Sequence, residues 1–266
     1  MEIYERILRL DDGFAVINKL CGEAVEGAGK GMADLSRILA GALETLPAAS
    51  SPRPAMKPAA VHRLDVPVSG CVLFARTPSA LGFLGSAFAD RRNRPVEKHY
   101  WAVTEFPAEG FPAEELFFSG AEIELVHWIA ADRSRNKTLV FDGEGPGRKM
   151  AVTRYRFIGR GQNYLFLDIE TLTGRSHQIR AQLARAGLHI KGDLKYGARR
   201  SEKKGGIRLH ARSLSFPNPG GAGIIRVEAP PPEMDGLWEA FAGAWNSRFK
   251  PAANEQPSRR EDRGEN

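Results

Sequence analysis

The sequence predicts an α+β domain built around a mixed, mostly antiparallel central sheet with flanking helices and loops. Strand-like segments follow one another in runs, and helices are inserted between them irregularly. Of the 266 residues, 42% are hydrophobic, which is enough for a sizeable core and argues against global disorder. We predict one domain over residues 1–249, followed by a polar, disordered tail at 250–266.

The predicted strands are short, rich in apolar and β-branched residues, and bounded by Gly, Pro or Asp. They lie at 7–10, 14–17, 71–76, 99–103, 152–158, 164–171, 207–216 and 224–228. The first two flank Asp11-Asp12-Gly13, which has the turn chemistry of a β-hairpin.

The predicted helices place apolar residues three and four positions apart. They lie at 34–46, 78–90, 176–186 and 237–245. Asp34 and Pro78 stand where helices commonly begin. Between the first two helices, residues 47–60 hold four prolines and form a predicted loop that delivers the chain to Asp65.

The bulk charge favours an anionic partner. Lys plus Arg number 38 and Asp plus Glu 32, giving a formal net charge of +6. Two arginine- and lysine-rich clusters are either phosphate contacts or solvated charge runs. They are Arg91, Arg92 and Arg94, and Arg199, Arg200, Lys203 and Lys204.

The chain shows no feature of a secreted, disulfide-rich or membrane protein. Cys21 and Cys71 are too few for a disulfide framework and are most simply buried thiols. The N-terminal residues lack the basic start and apolar stretch of a signal peptide. No apolar run approaches the ~20 residues of a membrane span. We therefore expect a cytoplasmic protein.

Asp65 is an acid on a loop that precedes an apolar strand, and such loops often carry chemistry. Its side chain could equally cap a turn. A second candidate segment is the predicted helix at 176–186, where His177 and Arg180 share one face. Ile179 and Leu183 share another face that can pack on the core. The His177 face then points either to a cleft or to solvent.

Three segments, in this order, resemble the RluA-type pseudouridine synthase family. The matching residues form motifs separated by long stretches of chain. They are Val61-His62-Arg63-Leu64-Asp65 with Ser69-Gly70; Lys98 with Tyr100 and Ala102; and Thr173-Gly174-Arg175 with His177-Gln178-Ile179-Arg180, Gly187, Gly192-Asp193 and Tyr196-Gly197. Weaker matches, including Asn18-Lys19 and Leu209-His210-Ala211, extend the resemblance over about residues 5–245.

The resemblance implies the pseudouridine synthase catalytic fold, with an active-site cleft across the sheet and an RNA substrate. Members of the family convert uridine in RNA to its C-glycoside isomer without a cofactor or metal. In this chain Asp65 is the implied catalytic carboxylate, Arg180 its salt-bridge partner and Tyr100 the surface on which the base stacks, worth ~1–3 kcal/mol per base. Further substrate contacts are predicted at four residues. They are Arg63, His62, Arg175 and His177.

The resemblance leaves the target RNA open between ribosomal and transfer RNA. Many ribosomal members carry a small RNA-binding domain before the catalytic one. Because Asn18-Lys19 lies near the N-terminus, we expect a stand-alone catalytic domain, acting as a monomer without an obligatory protein partner. The chain departs from the family at Val68 (usually Thr), Gln182 (usually His) and His189 (usually Pro). We expect these departures to affect local RNA contacts rather than the chemistry.

Two other functions compete with the enzyme. A non-catalytic RNA-binding protein could keep the same fold. Such a protein would not need Asp65, and Asp65 is present here. A metal-dependent hydrolase could use His62, Asp65, His177 and Asp193, although their spacing matches no recognised short metal-ligand motif. The sequence therefore favours the isomerase.

Overall fold

The computed structural model describes residues 2–29, 33–45, 56–90, 92–93, 95–107, 119–203 and 205–249. Within these ranges the first six strands are β1 (Ile7–Leu10), β2 (Phe14–Lys19), β3 (Ala59–Ala60), β4 (Ser69–Ala75), β5 (Glu97–Glu105) and β6 (Ile123–Asp132). The remaining strands are β7 (Lys137–Phe141), β8 (Lys149–Arg160), β9 (Tyr164–Thr171), β10 (Leu209–Pro217) and β11 (Ile224–Glu228). The helices are α1 (Leu35–Thr45), α2 (Pro78–Ala89), α3 (Gln178–Arg185) and α4 (Gly236–Phe249).

The strands form one mixed sheet in the order β1-β2-β4-β10-β5-β9-β8-β6-β7, with β3 paired to β4 and β11 to β10. Neighbouring strands are antiparallel except for β4 and β10, which are parallel. The predicted fold class, an α+β domain on a mostly antiparallel sheet, is therefore confirmed. The eight predicted strands and four predicted helices are all present, with ends shifted by a few residues.

Two differences separate the structure from the sequence-based expectation. We predicted no element between residues 104 and 151, where the structure has the β6–β7 hairpin. The predicted loop at 47–60 ends in the two-residue strand β3, and its part at 47–55 lies outside the described residues. The predicted tail at 250–266 also lies outside them.

The parallel contact between β4 and β10 explains the Ser69-Gly70 motif. Gly70 has φ +117°, and a Cβ there would lie 2.3 Å from the carbonyl oxygen of Ala211. Only glycine lets the two backbones approach this closely. Beside it, the Ser69 hydroxyl donates to His210 Nδ1 at 2.9 Å, and His210 Nε2 donates to the Ala229 carbonyl at 2.9 Å. This junction fixes the strand that follows Asp65.

The alternating side chains of β5 separate the two faces of the sheet. Tyr100 and Ala102 pack into the core beneath α3, whereas Trp101 and Val103 pack with α4 on the opposite face. The same period-two alternation directs Lys98 to the Tyr100 side. The face that carries α3 is the one on which the candidate site lies.

Candidate active site

An open cleft of about 1150 Å³ lies on the α3 side of the sheet. Most of its lining residues come from three segments that are distant in the sequence. They are the segment 62–68, the start of β5 at 96–100, and the segment 170–180. These are the three segments that carry the sequence motifs, so the fold brings all three to one place.

Asp65 begins a tight turn that is closed by its backbone and not by its side chain. Val68 N donates to the Asp65 carbonyl at 3.0 Å. The Asp65 carboxylate accepts from Arg180 and from no backbone amide of the described residues, so the alternative in which it caps the turn is wrong. Pro67 O accepts from Ile207 N at 3.0 Å, which ties the turn to the strand region beyond it.

Lys19, at the end of β2, anchors the same turn from below. Its Nζ donates to three carbonyl oxygens, those of Leu20 at 2.9 Å, Val66 at 3.0 Å and Val68 at 2.6 Å. The side chain is fully buried. Burial lowers the pKa of Lys19 to about 8, although nearby acidic groups, Asp65 among them, oppose the change. A buried ammonium thus holds the Asp65 turn without a carboxylate partner in direct contact.

Arg180 joins Asp65 to a second carboxylate. Arg180 Nη1 lies 3.0 Å from Asp65 Oδ2, which is the salt bridge that the family resemblance implies. Its Nε and Nη2 donate to the two oxygens of Asp193 at 2.7 and 2.8 Å. Burial would lower the pKa of Arg180, but the hydrogen bonds and charges of Asp193 and Asp65 raise it. The planar, two-point contact with Asp193 aims the remaining nitrogen at Asp65.

His177 also faces the Asp65 carboxylate. Its Nε2 is 3.8 Å from Asp65 Oδ2, and its Nδ1 is 2.8 Å from the hydroxyl of Tyr196. The residue has φ +51°, a left-handed conformation at the N-terminal end of α3. Burial lowers the pKa of His177, and the charge of Asp65 partly opposes this. His177 is therefore neutral near pH 7.

Tyr100 and Lys98 form the part of the cleft wall supplied by β5. Burial, together with the negative charge of Asp65, raises the pKa of the Tyr100 phenol well above its ordinary value. Burial also lowers the pKa of Lys98, and Glu170 opposes it. The neutral ring of Tyr100 near Asp65 provides a surface for stacking. Lys98, two residues earlier on β5, provides an amino group in the same wall.

The remaining predicted substrate contacts differ in their surroundings. Arg63 is exposed and lines the cleft. Arg175 is half-buried and its Nε donates to Met150 O at 3.4 Å. His62 accepts a hydrogen bond from Leu73 N at 3.2 Å and stacks on Phe88 at 5.0 Å. Burial and the charge of Lys98 lower the pKa of His62 to about 3, so it is a neutral packing residue in the cleft wall.

The described members of the two basic clusters do not line the cleft. Of their described members, Arg92, Arg199, Arg200 and Lys203, none lines it. Arg199 instead lies 3.7 Å from Glu105. The cations that do line the cleft come from the motif segments and their neighbours. They are Arg63, Lys98, Arg154, Arg175, Arg180 and Lys195.

Gln182, one of the three departures from the family, has a structural role in α3. Its side chain, on the inner face of α3, is completely buried and does not line the cleft, so Gln182 makes no direct contact there. Its Oε1 accepts from Thr153 Oγ1 at 2.7 Å, and its Nε2 lies 3.1 Å from Leu125 O and from His127 Nδ1. Gln182 therefore fastens α3 to strands β6 and β8.

The four residues of the hydrolase alternative are not arranged as a ligand set. Both oxygens of Asp193 accept from Arg180, and His62 Nε2 accepts from a backbone amide. Within the part of the chain that the structure describes, no three His, Cys, Asp or Glu residues are grouped to hold a metal ion. The geometry gives that alternative no support.

The described helices include none with the length and apolar character needed to cross a membrane.

In the comparison with family models, residues 13–185 match the model described as RNA pseudouridylate synthase. This match covers all three motif segments except the final residues of the third.

Individual relatives agree with the family match. An uncharacterized RNA pseudouridine synthase of Zymomonas mobilis is 30% identical over 213 residues, covering 80% of this chain and 87% of the relative. Ribosomal large subunit pseudouridine synthase D of Xylella fastidiosa is 32% identical over 242 residues, covering 85% of this chain and 66% of the relative. The chain spans 54% and 66% of the length of two other curated relatives.

A solved structure shares the fold. Human RNA pseudouridylate synthase domain containing 1 superposes with a TM-score of 0.66 and 20% identity, covering 90% of this chain and 86% of that one. At this level of identity the likeness concerns the fold alone.

Proposed function

We propose that this chain, which belongs to the RluA-type family of RNA pseudouridine synthases, isomerises uridine to pseudouridine within structured RNA. The observation that carries the proposal is the Asp65–Arg180 contact at 3.0 Å, between side chains 115 positions apart, at the wall of the cleft. The Asp65 side chain remains 23% exposed, so a substrate can reach it.

Asp65 is the proposed catalytic residue. The reaction breaks the N1–C1′ bond, turns the uracil and joins C5 to C1′, while the C5 proton leaves and N1 takes up a proton. A carboxylate near the sugar can serve as nucleophile or stabilise positive charge at C1′. Arg180 Nη1 donates a charge-assisted hydrogen bond to that carboxylate at 3.0 Å. Since Arg180 is itself fixed by Asp193, the carboxylate has a defined direction.

Tyr100 is the proposed surface for the detached base. The uracil must leave the RNA stack to reach Asp65, as in other enzymes that act on a base. A phenol that stays neutral offers a flat face for stacking, worth ~1–3 kcal/mol, and holds the base while it turns. Arg63, at the exposed edge of the cleft, is the proposed contact to the vacated position in the RNA.

The large-subunit ribosomal RNA is the substrate class we favour. The name of the Xylella relative refers to the large ribosomal subunit. The formal net charge of +6 favours an RNA partner in general and does not distinguish one RNA from another. A cytoplasmic location and a monomeric state belong to the same proposal.

Pseudouridine mapping tests the proposal and identifies the target. Carbodiimide-dependent primer stops would be compared in ribosomal and transfer RNA from the parent strain, a deletion strain, and a deletion strain supplied with the Asp65→Asn variant. We expect one or more stops in large-subunit RNA to vanish on deletion and to return only with the wild-type chain. An unchanged pattern in both RNA classes would refute the proposed activity.

A further inference from the structure

The side chain of Tyr196 lies behind Asp65 and touches both of its neighbours. Its hydroxyl is 2.8 Å from His177 Nδ1. The centroid of its ring is 5.0 Å from the Arg180 guanidinium carbon, and the His177 ring meets it edge-on at 5.7 Å. The steps proposed above do not use this residue, which follows the short turn that carries Asp193.

The hydrogen bonds around the Tyr196 hydroxyl have a fixed direction. Thr138 N, a backbone amide that can only donate, lies 2.7 Å from Tyr196 Oη. His177 Nδ1, at 2.8 Å, is the acceptor to which we assign the hydroxyl proton. The Thr138 hydroxyl also interacts with Tyr196, but it donates its own proton to Ser176 O at 2.9 Å. A neutral imidazole that accepts at Nδ1 carries its own proton on Nε2, and Nε2 is the atom that faces Asp65 at 3.8 Å.

We propose that Tyr196 is a positioning residue for the Asp65 site. Its hydroxyl fixes His177 as the tautomer with the proton on Nε2, directed at the carboxylate, and its ring supports the guanidinium of Arg180. The proposal rests on the proposed function, because it assigns how the surroundings of the reacting carboxylate, the hydrogen-bonded Arg180 and the nearby His177, are kept in place.

Tyr196 is itself fastened by the turn around it. His189 Nδ1 donates to the Tyr196 carbonyl at 2.7 Å, and Tyr196 N donates to Asp193 O at 2.9 Å. Gly197 follows with φ +95°, and a Cβ there would collide with the His189 ring at 2.7 Å. Because the family usually has proline at position 189, which offers no side-chain donor, this support for Tyr196 distinguishes the present chain.

The charges around His177 determine what loss of the hydroxyl would do. Asp65 and Asp193 favour its protonation, whereas Arg180 and Lys195 oppose it; Lys137 Nζ lies 5.9 Å from the Tyr196 ring. With the hydroxyl in place, Nδ1 is occupied and the ring stays neutral. Without it, Nδ1 is free to take a proton, and the imidazolium would pair with Asp65 and neutralise the charge that the reaction requires.

Tyr196→Phe in the full-length protein tests the proposal by a readout that needs no activity. Long-range proton–nitrogen NMR spectra of the ¹⁵N-labelled protein report which His177 nitrogen carries the proton. We expect the Nε2–H tautomer in the wild type and a mixture of tautomers, with protonation at higher pH, in the variant. Tyr164→Phe is the matched control, since its ring lies outside the cleft and we expect it to leave the His177 signals unchanged.

Single-turnover rates on target RNA provide the second readout. We expect the wild-type rates at pH 6 and pH 8 to agree within about twofold, and the Tyr196→Phe rate at pH 6 to be about fivefold below its own rate at pH 8, the equivalent of one hydrogen bond. Adding Tyr196→Phe to His177→Asn should cost nothing further, because the hydroxyl acts through His177.

Several outcomes would overturn the proposal. These are a wild-type His177 with its proton on Nδ1, variant spectra identical to the wild type, or losses that add in the double variant. If Tyr196→Phe does not fold, the wild-type spectrum alone still decides the tautomer. If the wild type modifies no RNA, the proposed function fails, whereas the NMR result continues to test the role of Tyr196.

Discussion

At the scale of single residues, the position of Asp65 depends on groups that lie far away in the sequence. Lys19, 46 positions before Asp65, donates to the backbone of its turn. Asp193, 128 positions after Asp65, accepts from its partner Arg180. The motifs pointed to Asp65, Arg180, Tyr100 and His177, and the fold brings these four to one cleft.

The roles of Lys19, Asp193 and Tyr196 could not be predicted from the sequence, because each depends on a tertiary contact. Lys19 ends the strand FAVINK after the polar Asn18, and this pattern does not show that its ammonium is buried against the Asp65 turn. Asp193 and Tyr196 stood in the resemblance without an assigned role. Only the geometry shows that they direct Arg180 and His177.

The titration of Lys19 predicts that activity falls at alkaline pH. As pH rises through its pKa of about 8, the ammonium becomes an amine that can donate two hydrogen bonds instead of three. The Asp65 turn then loses one anchor, and we expect the single-turnover rate to fall about 3–10-fold. Tyr100 will not contribute, because its pKa is raised above this range. The measurement is the rate between pH 6.5 and 9.

Lys19→Met is the comparison for this pH dependence. It removes the titrating group and all three hydrogen bonds, so we expect a lower rate at every pH and no decline specific to the region near pH 8. A wild-type decline that persists unchanged in Lys19→Met would show that another group is responsible.

At the scale of elements, periodicity predicted most helices and strands correctly but missed the β6–β7 hairpin. In strand β6, Leu125 and Ile129 face inward, as the alternation of a strand requires. The outward-facing Val126 and Trp128 are also apolar, so the sequence shows no clear alternation of apolar and polar residues. Sheet position decides such a segment more than local sequence does. The hairpin bears on the site, since Thr138 N holds Tyr196.

The junction of β4 and β10 makes a prediction at this scale. Gly70→Ala would place a Cβ 2.3 Å from Ala211 O in a backbone with φ +117°. Strain and overpacking together should lower the free energy of unfolding by about 2–5 kcal/mol. Chemical denaturation measures this difference.

Gly41→Ala is the matched control for Gly70→Ala. Gly41 lies in α1, where an added Cβ meets nothing within 4 Å, and we expect alanine there to stabilise the protein by about 0.5–1 kcal/mol. If both substitutions change stability equally, the close approach at Gly70 is not what requires glycine.

At the scale of the whole molecule, the fold class followed from the sequence but the strand order did not. An alternating pattern identifies a strand but does not show which strands lie beside it. The position of β10 between β4 and β5 therefore could not be predicted from the local sequence. That placement matters, because it sets the Asp65 turn beside Tyr100. The resemblance supplied what periodicity could not, by linking three distant segments to one site.

The central claim is that Asp65 performs the chemistry in a cleft whose other residues bind and orient RNA. The direct measurement is single-turnover tritium release from target RNA carrying [5-³H]uridine, alongside RNA affinity, for the wild type, Asp65→Asn, and Asp142→Asn as an exposed control outside the cleft. We predict that Asp65→Asn slows release by roughly 10⁴-fold or more with little change in affinity, while Asp142→Asn matches the wild type. Wild-type release by Asp65→Asn would contradict the account.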